Sequence, residues 1–141
     1  MGLFHLHRLN KSMITYQQHL ENMQADPMAY IMSLAKAEPV HVDIKKPCNF
    51  IRGCKNYIWF EMIPKGTNYG FLFASGSNVS LGMCLVLGSY MVGKTPEQMA
   101  LVRFSDLREF TKYLPGERQK GVQAVLNSMH KQLKDVDTTP Q

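Results

Sequence analysis

The chain has 141 residues, 45% hydrophobic and 19% charged, with 16 Lys+Arg against 11 Asp+Glu, a formal net charge of +5. That length suits one domain with its own core, and the composition excludes a disordered tail and a typical membrane protein. Three cysteines are an odd number, so a closed disulfide framework is not expected, and the chain reads as intracellular with reduced thiols.

The first 20 residues carry Arg8 and Lys11 and no acid, without an apolar run of signal-peptide length. We expect a free N-terminal arm there, an organelle-import segment being the rival reading. Ser12 is a candidate cap for a helix with Met13, Tyr16, Leu20 and Met23 on one face. Asp26-Pro27 marks a second helix start, an acid at the N-cap followed by Pro at the first helical position. Met28, Ile31, Met32 and Ala35 form its apolar stripe, and Pro39 ends it. Val40, Val42 and Ile44 alternate with His41 and Asp43, which predicts a half-buried strand. Pro47 to Lys55 reads as a loop. Tyr57 to Ile63 predicts a strand, with Trp59 packing into the core behind the loop. Pro64, Gly66 and Asn68 predict a hairpin turn, and Tyr69 to Ala74 the returning strand.

Val79 to Met91 is apolar nearly all round and predicts a buried central helix. Its dense apolar stretch to Val92 would rise about 21 Å, short of a bilayer core of about 30 Å. Thr95-Pro96-Glu97-Gln98 predicts a capped helix start, Thr at the N-cap and Gln three residues on. A short helix is expected near Ser105, and Pro115-Gly116 breaks the chain. The last helix places Val122, Val125, Leu126, Met129 and Leu133 on one face, with a frayed tail after Asp135. Helices, a small antiparallel sheet and more helices make an α+β pattern in a single domain over 1–141.

Gly88-Ser89-Tyr90-Met91-Val92-Gly93-Lys94-Thr95 matches the phosphate-loop pattern G-x-x-x-x-G-K-[ST]. The context opposes nucleotide binding. No strands are expected after Thr95, no apolar run ends there in an Asp for the metal, and the helix cap accounts for Thr95 and Pro96. A nucleic-acid role is not expected either, because the bases are scattered along the chain.

Cys84 lies in the apolar helix and reads as a small core residue. Cys48 and Cys54 lie in the loop among Lys45, Lys46, Arg52 and Lys55, and no acid occurs from Ile44 to Phe60. Nearby positive charge favours a thiolate, and Gly53 permits an unusual backbone beside the sulfur. A reactive thiol and an inert loop cysteine both fit Cys54 at this level. The spacing of Cys48 and Cys54 is not that of a zinc pair, even with His41 as a third ligand, so no metal is expected. A Cys48–Cys54 disulfide is geometrically conceivable. His5, His7, His19 and His130 read as solvated surface residues, with nothing to make any of them a base for Cys54.

Asn49-Phe50-Ile51-Arg52-Gly53-Cys54-Lys55-Asn56-Tyr57-Ile58-Trp59 resembles the signature of the SufE sulfur-acceptor family, an Ile/Val-x-Gly-Cys turn, a polar pair and a Val/Ile-Trp strand. Leu81 to Tyr90 resembles that family's long apolar helix, and Gly93-Lys94-Thr95-Pro96-Glu97 its Gly-Lys-Thr-Pro-Glu turn. Leu114-Pro115-Gly116-Glu117-Arg118-Gln119-Lys120-Gly121 is similar to the segment opening its last helix. The resemblance covers about Asp26 to Gln132. It implies a SufE/IscU-like fold and a sulfur relay. Cys54 would accept a persulfide sulfur from a PLP-dependent, SufS-like cysteine desulfurase and pass it to a SufBCD-like iron–sulfur scaffold. Gly53, Arg52, Lys55 and Arg118 would form the persulfide surroundings or the partner contact. PLP would belong to the partner, with no cofactor bound here, no membrane and no nucleic acid involved. The location implied is cytoplasmic, or an organelle matrix or stroma in a eukaryote. A second reading is a SufE-like module that regulates a desulfurase without relaying sulfur. Two departures motivate it. Lys55-Asn56 replaces the family's Gln-Ser, and the uncharged Ser75-Gly76-Ser77-Asn78 replaces an acidic Asp-Ser-Asp-like run.

Overall fold

The computed structural model describes residues 14–66 and 68–138, without the side chains of 136–138. The chain order is α1 (Tyr16–Met23), α2 (Pro27–Ala37), two single 3-10 turns (Val42–Ile44 and Pro47–Asn49), β1 (Ile58–Lys65), β2 (Asn68–Ser75) and α3 (Asn78–Met91). A short α4 (Pro96–Ala100), a 3-10 turn (Phe104–Leu107), α5 (Arg108–Thr111) and the long α6 (Gly116–Thr138) follow. This is the α+β arrangement expected from the pattern. The N-terminal arm and any import segment fall outside the described residues.

Helix starts follow the side-chain chemistry. Thr15, rather than Ser12, caps α1, and Gln18 returns the bond to the Thr15 backbone. Ser12 and Met13 lie outside the described residues. Asp26 accepts from Ala29 N at the start of α2, and Thr95 and Gln98 form the expected reciprocal cap on α4. Gly88 and the residues to Met91 are therefore helix, and Thr95 is a cap. The phosphate-loop match therefore lies half in α3 and half in the short turn before α4.

β1 and β2 pair antiparallel from Ile58↔Ser75 to Lys65↔Asn68. Gly66 sits at φ +64°, the left-handed backbone that a tight hairpin connection requires. Pro64 lies within β1, opposite Tyr69, not in the turn. The second edge of β1 is also satisfied. Ile51 N donates to Ile58 O at 2.9 Å, and Phe50 bridges Trp59. Further along, Gln132 of α6 donates to Phe60 O at 2.9 Å and accepts from Met62 N at 3.4 Å. A side-chain amide thus stands in for a neighbouring strand and ties the last helix to the hairpin.

One hairpin face carries Ile58, Phe60 and Phe73, and the Phe60 and Phe73 rings stack 5.1 Å apart. They join Met83, Cys84, Leu87 and Met91 of α3 and Val122, Val125, Leu126, Met129 and Leu133 of α6 in one buried cluster. The last helix shows the face expected of it, but continues as helix to Thr138.

Three expectations are corrected. Val40 to Ile44 is not a strand: Val42–Ile44 is a 3-10 turn, Val40 and Val42 are 79% and 63% exposed, and only Ile44 is buried. The second edge of β1 is already taken, and Lys45 N and Lys46 N are spent within the turn on Val42 O and Ile44 O. Trp59 is not core packing. It is half-buried on the hairpin face opposite Phe60, against Phe50 and under the Lys45 ammonium at 5.3 Å. His19 is not a surface residue. It is 5% exposed and shares a 2.6 Å hydrogen bond with the Tyr30 hydroxyl. His130 is half-buried and its Nε2 is buried. His5 and His7 lie outside the described residues.

Burial pushes the His19 imidazole down to about 4 from the ordinary 6.5. The unfolded chain takes up the proton first, so the stability held by neutral His19 is complete above about pH 6.5 and is lost as pH falls toward 4. The expected loss across that window is about 2 kcal/mol. Urea unfolding at both ends of the window checks it, with His19→Gln expected to show the smaller loss.

Candidate functional site

The ladder closed by the Ile51–Ile58 hydrogen bond leaves residues 52–57 as a protruding loop with Cys54 at its centre. Gly53 stands at φ +92°, a backbone that a side-chain-bearing residue adopts only under strain. That kink turns Cys54 back toward the body of the protein. Its Sγ lies 3.6 Å from Gly121 O on α6, and the side chain packs half-buried against the core cluster. Asn56 donates to the buried Ser80 Oγ in the first turn of α3 at 3.1 Å. Lys55 reaches Glu117 at 3.9 Å in an exposed pair. Two helices distant in sequence therefore hold the loop down.

A cavity of about 130 Å³ opens beside the sulfur. The loop supplies Cys54, Lys55 and Asn56, α3 supplies Ser80 and Met83, and α6 supplies Glu117, Arg118 and Gly121. Cys54, Lys55 and Arg118 are thus brought together, with Gly53 forming the kink. Arg52 is exposed on the loop's shoulder, outside this lining. Arg118 is half-buried, and among the described residues its guanidinium has no hydrogen-bond or ion-pair partner. Asn56 and Ser80 escaped the sequence reading. A polar residue two positions after the cysteine was visible, but its partner 24 residues on was not.

The electrostatic outcome differs from the sequence expectation. Burial pushes the Cys54 thiol up, so desolvation outweighs the neighbouring cations. Lys45 lies over Trp59 on the outer face, and Lys55 faces Glu117. Cys84 is fully buried behind the site, and burial followed by the nearby Cys54 raises its thiol still further, in keeping with a core residue. Cys48 is exposed and bonds its neighbour Asn49 at 3.8 Å, and all three cysteines are free. His41 faces Glu38 at 3.0 Å. Among the described residues no three His, Cys, Asp or Glu side chains are grouped to hold a metal, and no helix is long and apolar enough to cross a membrane.

The Asn56–Ser80 bond makes a testable prediction about access to Cys54. A side-chain hydrogen bond contributes about 1 kcal/mol net. Asn56→Ala is expected to raise the rate of Cys54 alkylation by iodoacetamide about fivefold, read by mass spectrometry. An unchanged rate would mean that the loop is held by other contacts.

A search of curated proteins found no match. The family model described as "SufE: Fe-S metabolism associated domain" matches residues 13–133, beginning further upstream than the motifs alone suggested. With that match across most of its length, over the kinked Cys54 loop, the apolar α3 and the opening of α6, the chain belongs to the SufE family and to Fe–S metabolism.

Proposed function

We propose that the protein is a sulfur acceptor that carries a persulfide on Cys54 between a PLP-dependent cysteine desulfurase and an iron–sulfur scaffold. The observation that supports this most is the placement of Cys54. It is a half-buried thiol on a glycine-kinked loop, facing a cavity of about 130 Å³ that also presents Arg118 and Lys55. That space accommodates one additional sulfur atom; Lys55 in its wall is paired with Glu117, which leaves Arg118 as the cation that would balance a persulfide anion.

The chemistry is a sulfur exchange. The Cys54 thiolate attacks the terminal sulfur of the donor's persulfide, the donor's S–S bond breaks, and the donor cysteine leaves as a thiolate. The proton lost from Cys54 is matched by one gained on the donor. A persulfide and a thiol become a thiol and a persulfide, with no net oxidation and no added oxidant. The chain needs no cofactor of its own for this step, since PLP acts on the donor to generate the sulfur.

A thiol raised by burial is predominantly protonated at neutral pH, so the free protein is a guarded acceptor. Donor docking must lift the loop or supply a base. A guarded site also shields the persulfide from other thiols in transit. The experiment is incubation with a cysteine desulfurase from the same genome, PLP and cysteine, followed by peptide mass spectrometry. One added sulfur on Cys54 is expected; sulfur on Cys48 or Cys84 would overturn the assignment. Stimulation of the desulfurase with no sulfur on the chain would identify a regulatory module instead.

A further inference from the structure

We propose that the cationic and aromatic collar around the base of the Cys54 loop is a docking face for an acidic protein surface on the sulfur donor. This deepens the acceptor reading and rests on it for the donor's identity. Residues 45–60 hold four bases, Lys45, Lys46, Arg52 and Lys55, and no acid, while the other residues carry 12 bases against 11 acids. Nearly all of the net charge is therefore concentrated on the segment that carries the reactive sulfur.

The structure leaves that charge largely uncompensated. All four side chains are exposed. Among the described residues Lys45, Lys46 and Arg52 have no ion-pair partner, and Lys55 has one exposed pair at 3.9 Å. A pair of that kind contributes little and is readily exchanged for a partner's carboxylate. Beside the cations stands an aromatic platform. Tyr57 is 71% exposed and packs 5.7 Å from Phe50 and 6.2 Å from Trp59. Exposed aromatic rings interleaved with Arg make strong anchors at protein interfaces.

Position makes the occupant a protein. A donor cysteine that delivers sulfur to Cys54 must bring its own surface over the loop, and Arg52 and Lys55 lie within two residues of the thiol. The uncharged run from Ser75 to Asn78 lies at the same place, for Ser75 Oγ donates to Tyr57 O at 2.7 Å. No acid in either segment offsets the cations, so the surface that complements this face is negatively charged.

The test is calorimetric binding of the full chain to the same-genome cysteine desulfurase, at low and high salt. Lys45→Glu/Lys46→Glu is expected to weaken binding about tenfold at low salt, with the difference shrinking as salt rises. Asn78→Asp places an acid in the first turn of α3, where the helix terminus tolerates it, and is expected to weaken binding about threefold. No binding, binding indifferent to both variants, or tighter binding to a structured RNA overturns the docking proposal. Sulfur transfer to Cys54 is read separately. Salt-sensitive binding without transfer would leave the docking face standing and refute the relay.

Discussion

Cys54→Ser is expected to abolish sulfur acceptance while leaving the fold intact. A serine hydroxyl is not ionised near neutrality and cannot displace a thiolate from a persulfide, whereas the cysteine needs only to lose its proton. The structural cost is small. Cys54 is half-buried, its one hydrogen bond is a 3.6 Å contact to Gly121 O, and the smaller hydroxyl can be accommodated beside the cavity. We expect a stability change within about 1 kcal/mol. The comparison that gives the result meaning is Cys48→Ser, expected to accept sulfur normally. Cys84→Ala is expected to accept sulfur as well, at a cost in stability from the void left in the core. The pH dependence of Cys54 alkylation in the free chain adds an independent check. Because burial raises this thiol, the rate should keep climbing above pH 9.0, the ordinary thiol value. A plateau well below that value would mean that the cations govern the thiol after all.

Gly82→Ala is expected to cost about 3 kcal/mol, against a total stability of roughly 5–15 kcal/mol for a domain of this kind. Helix propensity alone favours alanine by about 1 kcal/mol. Tertiary contact reverses the sign. A Cβ at Gly82 would fall inside the van der Waals surface of Ile31 O and only 2.6 Å from Ile31 Cγ2. Backbone on α2 cannot turn aside as a flexible side chain can, so α2 and α3 must part and open the core they share. Gly121→Ala is the informative contrast. Its Cβ would meet Met83 Cε at 3.8 Å, an ordinary contact, so propensity prevails and the change is expected to be neutral or slightly stabilising. Urea midpoints for the two variants measure both. Similar losses for both would show that the α2–α3 approach is not the cause.

These two glycines define the limit of local reading. Both sit in helices, and neither has a sequence context that tells them apart. The same limit applies to the loop. The cysteine, the preceding glycine and the surrounding cations are visible in eleven consecutive residues, and the resemblance to a known family follows from the motif around the cysteine together with three further motifs along the chain. That Arg118 and Glu117 share the cavity with Cys54 depends on α6 crossing the loop. The cations could be counted from the sequence, but the desolvation that outweighs them could not.

Features that rest on neighbours within a few residues are legible along the chain. The capped starts of α2 and α4, the β1–β2 hairpin, the apolar α3 and the buried stripe of α6 are of this kind, because caps, turns and periodic burial are short-range. So is the placing of Cys84 in the apolar helix and of Cys54 in a loop. Features that depend on which surfaces meet are set by the packing of distant elements. Val40 to Ile44 has a strand's alternation but no open β1 edge to join. Trp59 has a core residue's bulk but points from the hairpin's outer face. His19 lies near the start of the chain but is covered by Tyr30. Cys54 has cations beside it in sequence and a low-dielectric wall of α3 and α6 beside it in space. Desolvation is a property of the assembled wall, so the sign of its pKa shift was settled only when the helices closed around it.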